Sequence, residues 1–145
     1  MKIGVPKELL ADETRLAVSP DSIKKYAGMG FDVVVESGAG VSASFTDQRL
    51  VEAGATISSD QQQTIKDADI VLKVRGPDSD SGDDMRNYGS KSIVIANFSA
   101  LTKKDKLSDF AKTGVTAFAM DLMPRITRAQ SMDILSSQSN LAGYK

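Results

Sequence analysis

Five short apolar runs punctuate the chain, at residues 2–5, 31–36, 68–74, 92–97 and 115–120. They are continuous rather than alternating and rich in Val and Ile, the pattern of parallel strands covered on both faces. The segments between them carry helix signals. Ser19-Pro20 offers a hydroxyl cap and a proline for the first turn, with Ile23, Tyr26 and Ala27 on one face and Gly28 or Gly30 at the exit. Thr46 can cap a helix over 47–53 closed by Gly54, and Thr102 with Asp105 has the spacing of a capping box before Leu107, Phe110 and Ala111. Strand alternating with helix predicts a doubly wound α/β domain, a mainly parallel five-stranded sheet between two helical layers. In such sheets ligands gather at the carboxyl ends of the strands, so chemistry is expected in residues 6–15, 37–43, 73–77 and 121–136.

Composition narrows what that chemistry can be. The chain has 145 residues, 18 Lys and Arg against 19 Asp and Glu, and neither Cys nor His. Such a length buries a core without staples. Without His or Cys, zinc sites, thiol nucleophiles and Ser-His or Cys-His pairs are excluded, and no metal site is expected. The even charge balance argues against nucleic acid as a partner, because counterion release from phosphates calls for a basic stripe. No window reaches the 18 or more apolar residues of a membrane span, and the start on Met1-Lys2-Ile3-Gly4-Val5 lacks a targeting signal, so a soluble chain is expected.

Four motifs compete for a role. Gly38-Ala39-Gly40-Val41-Ser42-Ala43 fits the dinucleotide fingerprint, yet it follows a later strand and lacks a good helix start, so a plain Gly-rich connection is favoured. Asp78 to Asp84 hints at a calcium loop, but Asp83 and Gly89 stand where Gly and Glu are needed, which leaves a solvated acidic loop. Arg15 offers a fork suited to a carboxylate or phosphate, or else pairs with Glu8 or Glu13; Lys73 ends an apolar strand and must be paired or face a ligand cleft. Gln130, Asp133 and Ser136 recur every three residues, so a helix would align an amide, a carboxylate and a hydroxyl on one face, a set able to orient a flat carboxamide ring. The plain alternative is a solvent-facing helix start.

Two longer stretches carry a specific resemblance. Residues 4–20, GVPKELLADETRLAVSP, resemble the N-terminal signature shared by alanine dehydrogenase and the alpha subunit of proton-translocating NAD(P) transhydrogenase, and 123–145, MPRITRAQSMDILSSQSNLAGYK, is similar to the transhydrogenase pattern. Glu36 to Gly40 and Ala68 to Val74 extend the likeness over essentially the whole chain. The resemblance implies that residues 1–145 form the first lobe of a two-lobe nucleotide component, with the NAD-binding Rossmann lobe expected after residue 145. It further implies that a mobile loop and helix lean over the nicotinamide of NAD(H). Arg125, Gln130, Asp133 and Ser136 match that element, with Ser131 and Met132 contacting the nucleotide through backbone. NADP(H) is then expected on another component. The expected partners are a second alpha component in a homodimer and the membrane and NADP(H)-binding components, on the cytoplasmic side of a bacterial inner membrane.

In alanine dehydrogenase an Arg, a Lys and a His handle the substrate. Arg15 and Lys73 match the first two, but Phe98 stands near the third, which makes them vestigial here and argues against reductive amination in a His-free chain. A stand-alone flavodoxin-like module is the other alternative. A phosphoacceptor would want an Asp after the third run and a Lys after the fifth, whereas Lys73 and Asp121 occupy those places.

Overall fold

The structure, a computed structural model, describes residues 1–144. Six strands, β1 (Lys2–Val5), β2 (Asp32–Glu36), β3 (Thr56–Ser58), β4 (Ile70–Arg75), β5 (Ile93–Asn97) and β6 (Thr116–Ala119), alternate with helices α1 (Pro20–Gly28), α2 (Asp47–Glu52), α3 (Gln61–Ile65), α4 (Lys104–Ala111) and α5 (Ile134–Gly143). The sheet order is β3-β2-β1-β4-β5-β6 and every pairing is parallel. All five anticipated strands are present, and the sheet has one more than the five expected. The addition, β3, is a three-residue edge strand whose ladder comes from Val34 to Glu36, too short to carry a period of its own. Without it the order reduces to the flavodoxin arrangement.

Strand alternation sorts the two layers. Ile3 and Val5 join Ile23 of α1 and Leu50 of α2 in one buried cluster. Gly4 faces the other way, where a Cβ would lie 2.8 Å from the Thr64 carbonyl of α3. That layer continues through Ile65, Val71, Val94 and Phe110 of α4. The tightness at Gly4 lets α3 sit directly on the sheet.

Local signals explain the helix starts, with one exception. Ser19 accepts the Ser22 N–H and the Ser22 hydroxyl accepts the Ser19 N–H, a reciprocal cap. Thr46 caps α2 through the Arg49 N–H. Thr102, by contrast, does not cap α4: the helix begins after Lys103, and the Thr102 hydroxyl instead donates to the Ser99 carbonyl. The chain reverses winding direction between β1 and β4, so the crevice of this sheet opens at their carboxyl ends.

Candidate functional site

A cleft of about 570 Å³ occupies that crevice. Its floor is apolar, with Leu72 of β4, Ile95 and Ala96 of β5 and Tyr26 of α1, while Arg15 and Asn97 edge it. The segment after β6 closes the remaining side with Ser131, Met132, Asp133 and Ile134. Ser137 and Gln138, one turn into α5, also line it, and sequence spacing does not single them out.

The 123–136 segment departs from the anticipated single helix. Thr127–Met132 is a 3-10 turn and α5 starts only after Asp133, which serves as its N-cap. Asp133 is buried and accepts the N–H groups of Leu135 at 3.0 Å and Ser136 at 3.1 Å and the Ser136 hydroxyl at 2.6 Å. These bonds, the Ser136 hydroxyl first, hold its carboxyl below the usual range, and Arg125 adds to the effect. Gln130, Asp133 and Ser136 therefore do not share one helical face. Asp133 points inward as a cap, whereas Arg125, Gln130 and Ser136 are exposed beside the cleft and Ser131 and Met132 reach its wall. A cap signature was legible in Asp133 followed by Ser136; the periodicity of three concealed it.

The two cationic candidates are both engaged. Arg15 grips Glu13 bidentately, Nε to Oε1 at 2.7 Å and Nη2 to Oε2 at 2.6 Å, and Arg75 Nε reaches the same carboxylate at 3.1 Å. The Arg15 guanidinium holds the Glu13 carboxyl down at about 2. Lys73 lies in register with Val71 and so turns away from the face that Leu72 presents to the cleft. There its Nζ meets Asp83 Oδ1 at 2.9 Å and Oδ2 at 3.0 Å, with both side chains 1% exposed. Asp83 also accepts Gln61 Nε2 at 2.7 Å, the Tyr88 hydroxyl at 3.0 Å and the Asp78 N–H at 3.1 Å. The acidic run is thus only partly solvated, because Asp83 leaves it to neutralise a buried lysine. Burial, followed by the Asp83 charge, pushes the Tyr88 hydroxyl far above its ordinary value. Glu8, unnoticed in the sequence, accepts the Val74 N–H at 2.6 Å and the Arg75 N–H at 3.3 Å, and burial raises its carboxyl despite Lys73 nearby.

The Gly-rich turn is likewise occupied by the chain itself. The Gly38 N–H lies 2.9 Å from Asp47 Oδ1, and the Ser37 hydroxyl donates to Oδ2 at 2.7 Å. Val41–Ala43 is a 3-10 turn, and a Cβ on Gly40 would stand 2.6 Å from the Phe45 carbonyl. A carboxylate stands where a phosphate would need to sit, so this turn is a structural connection. Phe98 is buried against Phe110 with ring centroids 5.5 Å apart. Among the described residues no group of three or more His, Cys, Asp or Glu could hold a metal ion, and no helix is long and apolar enough to cross a membrane.

Comparison with known proteins agrees with this picture. The chain is 49% identical to an NAD(P) transhydrogenase subunit alpha chain of Rhodospirillum rubrum over 147 aligned residues, covering 100% of the chain and 38% of that relative. It is 32% identical to alanine dehydrogenase of Bacillus subtilis, covering 99% of the chain and 36% of the enzyme. The crystal structure of transhydrogenase from Sinorhizobium meliloti superposes with a TM-score of 0.91 at 45% identity, over 99% of this chain and 42% of that one. The chain spans less than half the length of these relatives. Residues 4–142 match the family described as alanine dehydrogenase/PNT, N-terminal domain, and the chain belongs to that family.

Proposed function

We propose that this chain is the first lobe of an NAD(P) transhydrogenase alpha subunit and that it orients the nicotinamide of NAD(H) for hydride transfer to or from NADP(H). The observation that carries this reading is the engagement of every group an amino-acid oxidoreductase would need. Arg15 is held by Glu13, Lys73 is buried on Asp83, and Phe98 fills the place of an acid-base histidine. The higher identity to the transhydrogenase relative, 49% against 32%, supports the same choice.

The residues of the cleft fit a flat, neutral ring better than a whole dinucleotide. An apolar floor bordered by a few hydroxyls and amides suits a carboxamide-bearing heterocycle, while Asp47 closes the one Gly-rich turn to phosphate. The cofactors supply hydride chemistry at the nicotinamide carbon, and proteins in such reactions contribute orientation. Asp133 takes the Ser136 hydroxyl proton in a hydrogen bond, which leaves the Ser136 lone pairs free to accept from an amide. Gln130 supplies a second donor and acceptor from the turn above. Arg125 and Asp133 act as a charge-assisted clamp on the segment, and Ser131 and Met132 border the ring.

The phosphates are then held by a Rossmann lobe beyond residue 145, NADP(H) by another component, and the assembly is a homodimer of the alpha component docked on membrane and NADP(H)-binding partners at the cytoplasmic side of a bacterial inner membrane. The complete protein is expected to transfer hydride between NADPH and an oxidised NAD analogue without reducing NAD at the expense of L-alanine. Alanine-dependent NADH formation with no transhydrogenation would overturn the proposal.

A further inference from the structure

The turn after β5 is held in a conformation that serine rarely adopts. Ser99 has φ of 51°, in the left-handed region. That geometry brings the N–H groups of Phe98 and Ala100 to one side, the concavity that successive amides form around an anion. The chain supplies the anion itself: Asp121 Oδ1 accepts the Phe98 N–H at 2.9 Å and Oδ2 accepts the Ala100 N–H at 2.7 Å. The Ser99 N–H donates to Asn97 Oδ1 at 3.0 Å, and its carbonyl accepts the N–H groups of Thr102 and Lys103, each at 2.9 Å. The strained backbone persists because so many contacts determine it together.

Asp121 lies in the 3-10 turn Met120–Leu122 that ends β6 and immediately precedes the cleft segment. It is the last strongly tied side chain before that segment. Three of the four β6 residues are exposed, and between 123 and 133 only Ala129 and Asp133 are buried. The other partner of the clamp, the 97–100 turn, borders the cleft through Asn97.

We infer that Asp121 is a positioning residue: by docking on the 98–100 amides it sets where the segment bearing Arg125, Gln130 and Asp133 stands over the cleft. Its consequence for catalysis rests on the orienting role proposed above; the clamp itself does not.

Two readouts separate the two claims. Asp121→Asn preserves shape while removing the charge and turning one acceptor into a donor that faces an N–H. Amide hydrogen exchange on the chain is expected to rise about tenfold or more across 123–133, with β1 and β2 unchanged. Ser99→Gly, which tolerates the positive φ, is expected to leave the exchange pattern as it is, whereas Ser99→Val should loosen the same segment and serves if the Asp121 variant does not fold. Exchange that rises only at 98–100, or uniformly over the sheet, overturns the clamp. In the complete enzyme Asp121→Asn should lower kcat for hydride transfer about tenfold with KM for NADH within about twofold. A loosened segment with a parental transfer rate would leave the clamp standing and refute the orienting function.

Discussion

Lys73 and Asp83 place opposite charges within 2.9 Å at a site where each side chain is 1% exposed. Replacing the lysine with methionine keeps the aliphatic stem and strands the carboxylate. Breaking a buried pair in this one-sided way costs about 3–5 kcal/mol, because the remaining charge stays desolvated. Asp83 retains three neutral donors, from Gln61, Tyr88 and Asp78, so the lower half of that range is expected. An unfolding entropy of about 2.1 cal/mol/K per residue amounts to roughly 0.3 kcal/mol/K for this chain, so the Tm should fall by about 10–13 °C. Urea unfolding followed by circular dichroism should show a lower midpoint with an unchanged slope. Lys73→Met/Asp83→Asn should recover at least half of the loss, since the amide is neutral and can still accept from Tyr88 or Gln61. A single variant within about 1 kcal/mol of the parent, or a double variant worse than both singles, would refute the argument that this pair is desolvated and mutually dependent.

Glu13 gives a pH signature. Its carboxyl, held at about 2 in the fold against 4.5 ordinarily, contributes stability that is present above pH 4.5 and lost as pH falls toward 2. Its partners Arg15 and Arg75 are 43% and 39% exposed, so solvent screening limits the gain to about 1 kcal/mol. Glu8 is shifted upward and titrates in the opposite sense, so the test is the difference between parent and Glu13→Gln in a Tm series over pH 2.5 to 7. A difference that grows on acidification contradicts the assignment. Gly4→Ala should cost about 1–3 kcal/mol, because the new methyl meets the Thr64 carbonyl at 2.8 Å, whereas Gly28→Ala opens onto free space and should be neutral or stabilise by up to about 1 kcal/mol; thermal unfolding compares the two. Calorimetry of the chain with NADH should show no binding tighter than about 1 mM, and a low micromolar Kd would contradict the view that the phosphates need another lobe.

The parallel sheet was legible because buried strands in such a sheet have no reason to alternate, and five of them read as continuous apolar runs. The strand at 56–58 was not, since three residues carry no period and its pairing is decided by β2. Lys73 illustrates the limit for the site. A lysine amid apolar neighbours announces a constraint, but only topology shows that it is met by Asp83, ten residues away on the other face from the cleft. The 123–136 segment misled for a related reason: a repeat of three describes a helical face as well as a cap followed by its partner, and Asp133 settles the choice by its bond to Ser136. The clamp between Asp121 and the 98–100 amides joins residues more than 20 positions apart through backbone N–H groups, which leave no trace in side-chain pattern.

The central claim, that this lobe orients a nicotinamide rather than binding a whole nucleotide, is tested most directly by single-turnover hydride transfer in the complete enzyme carrying Gln130→Asn. The shorter side chain withdraws the amide by about one methylene, and a misplacement near 1 Å costs on the order of 100-fold in rate. Transfer from NADPH to an NAD analogue should slow by about that factor while NADH affinity stays within about threefold. An unchanged single-turnover rate, or a loss confined to NADH affinity, would contradict the account.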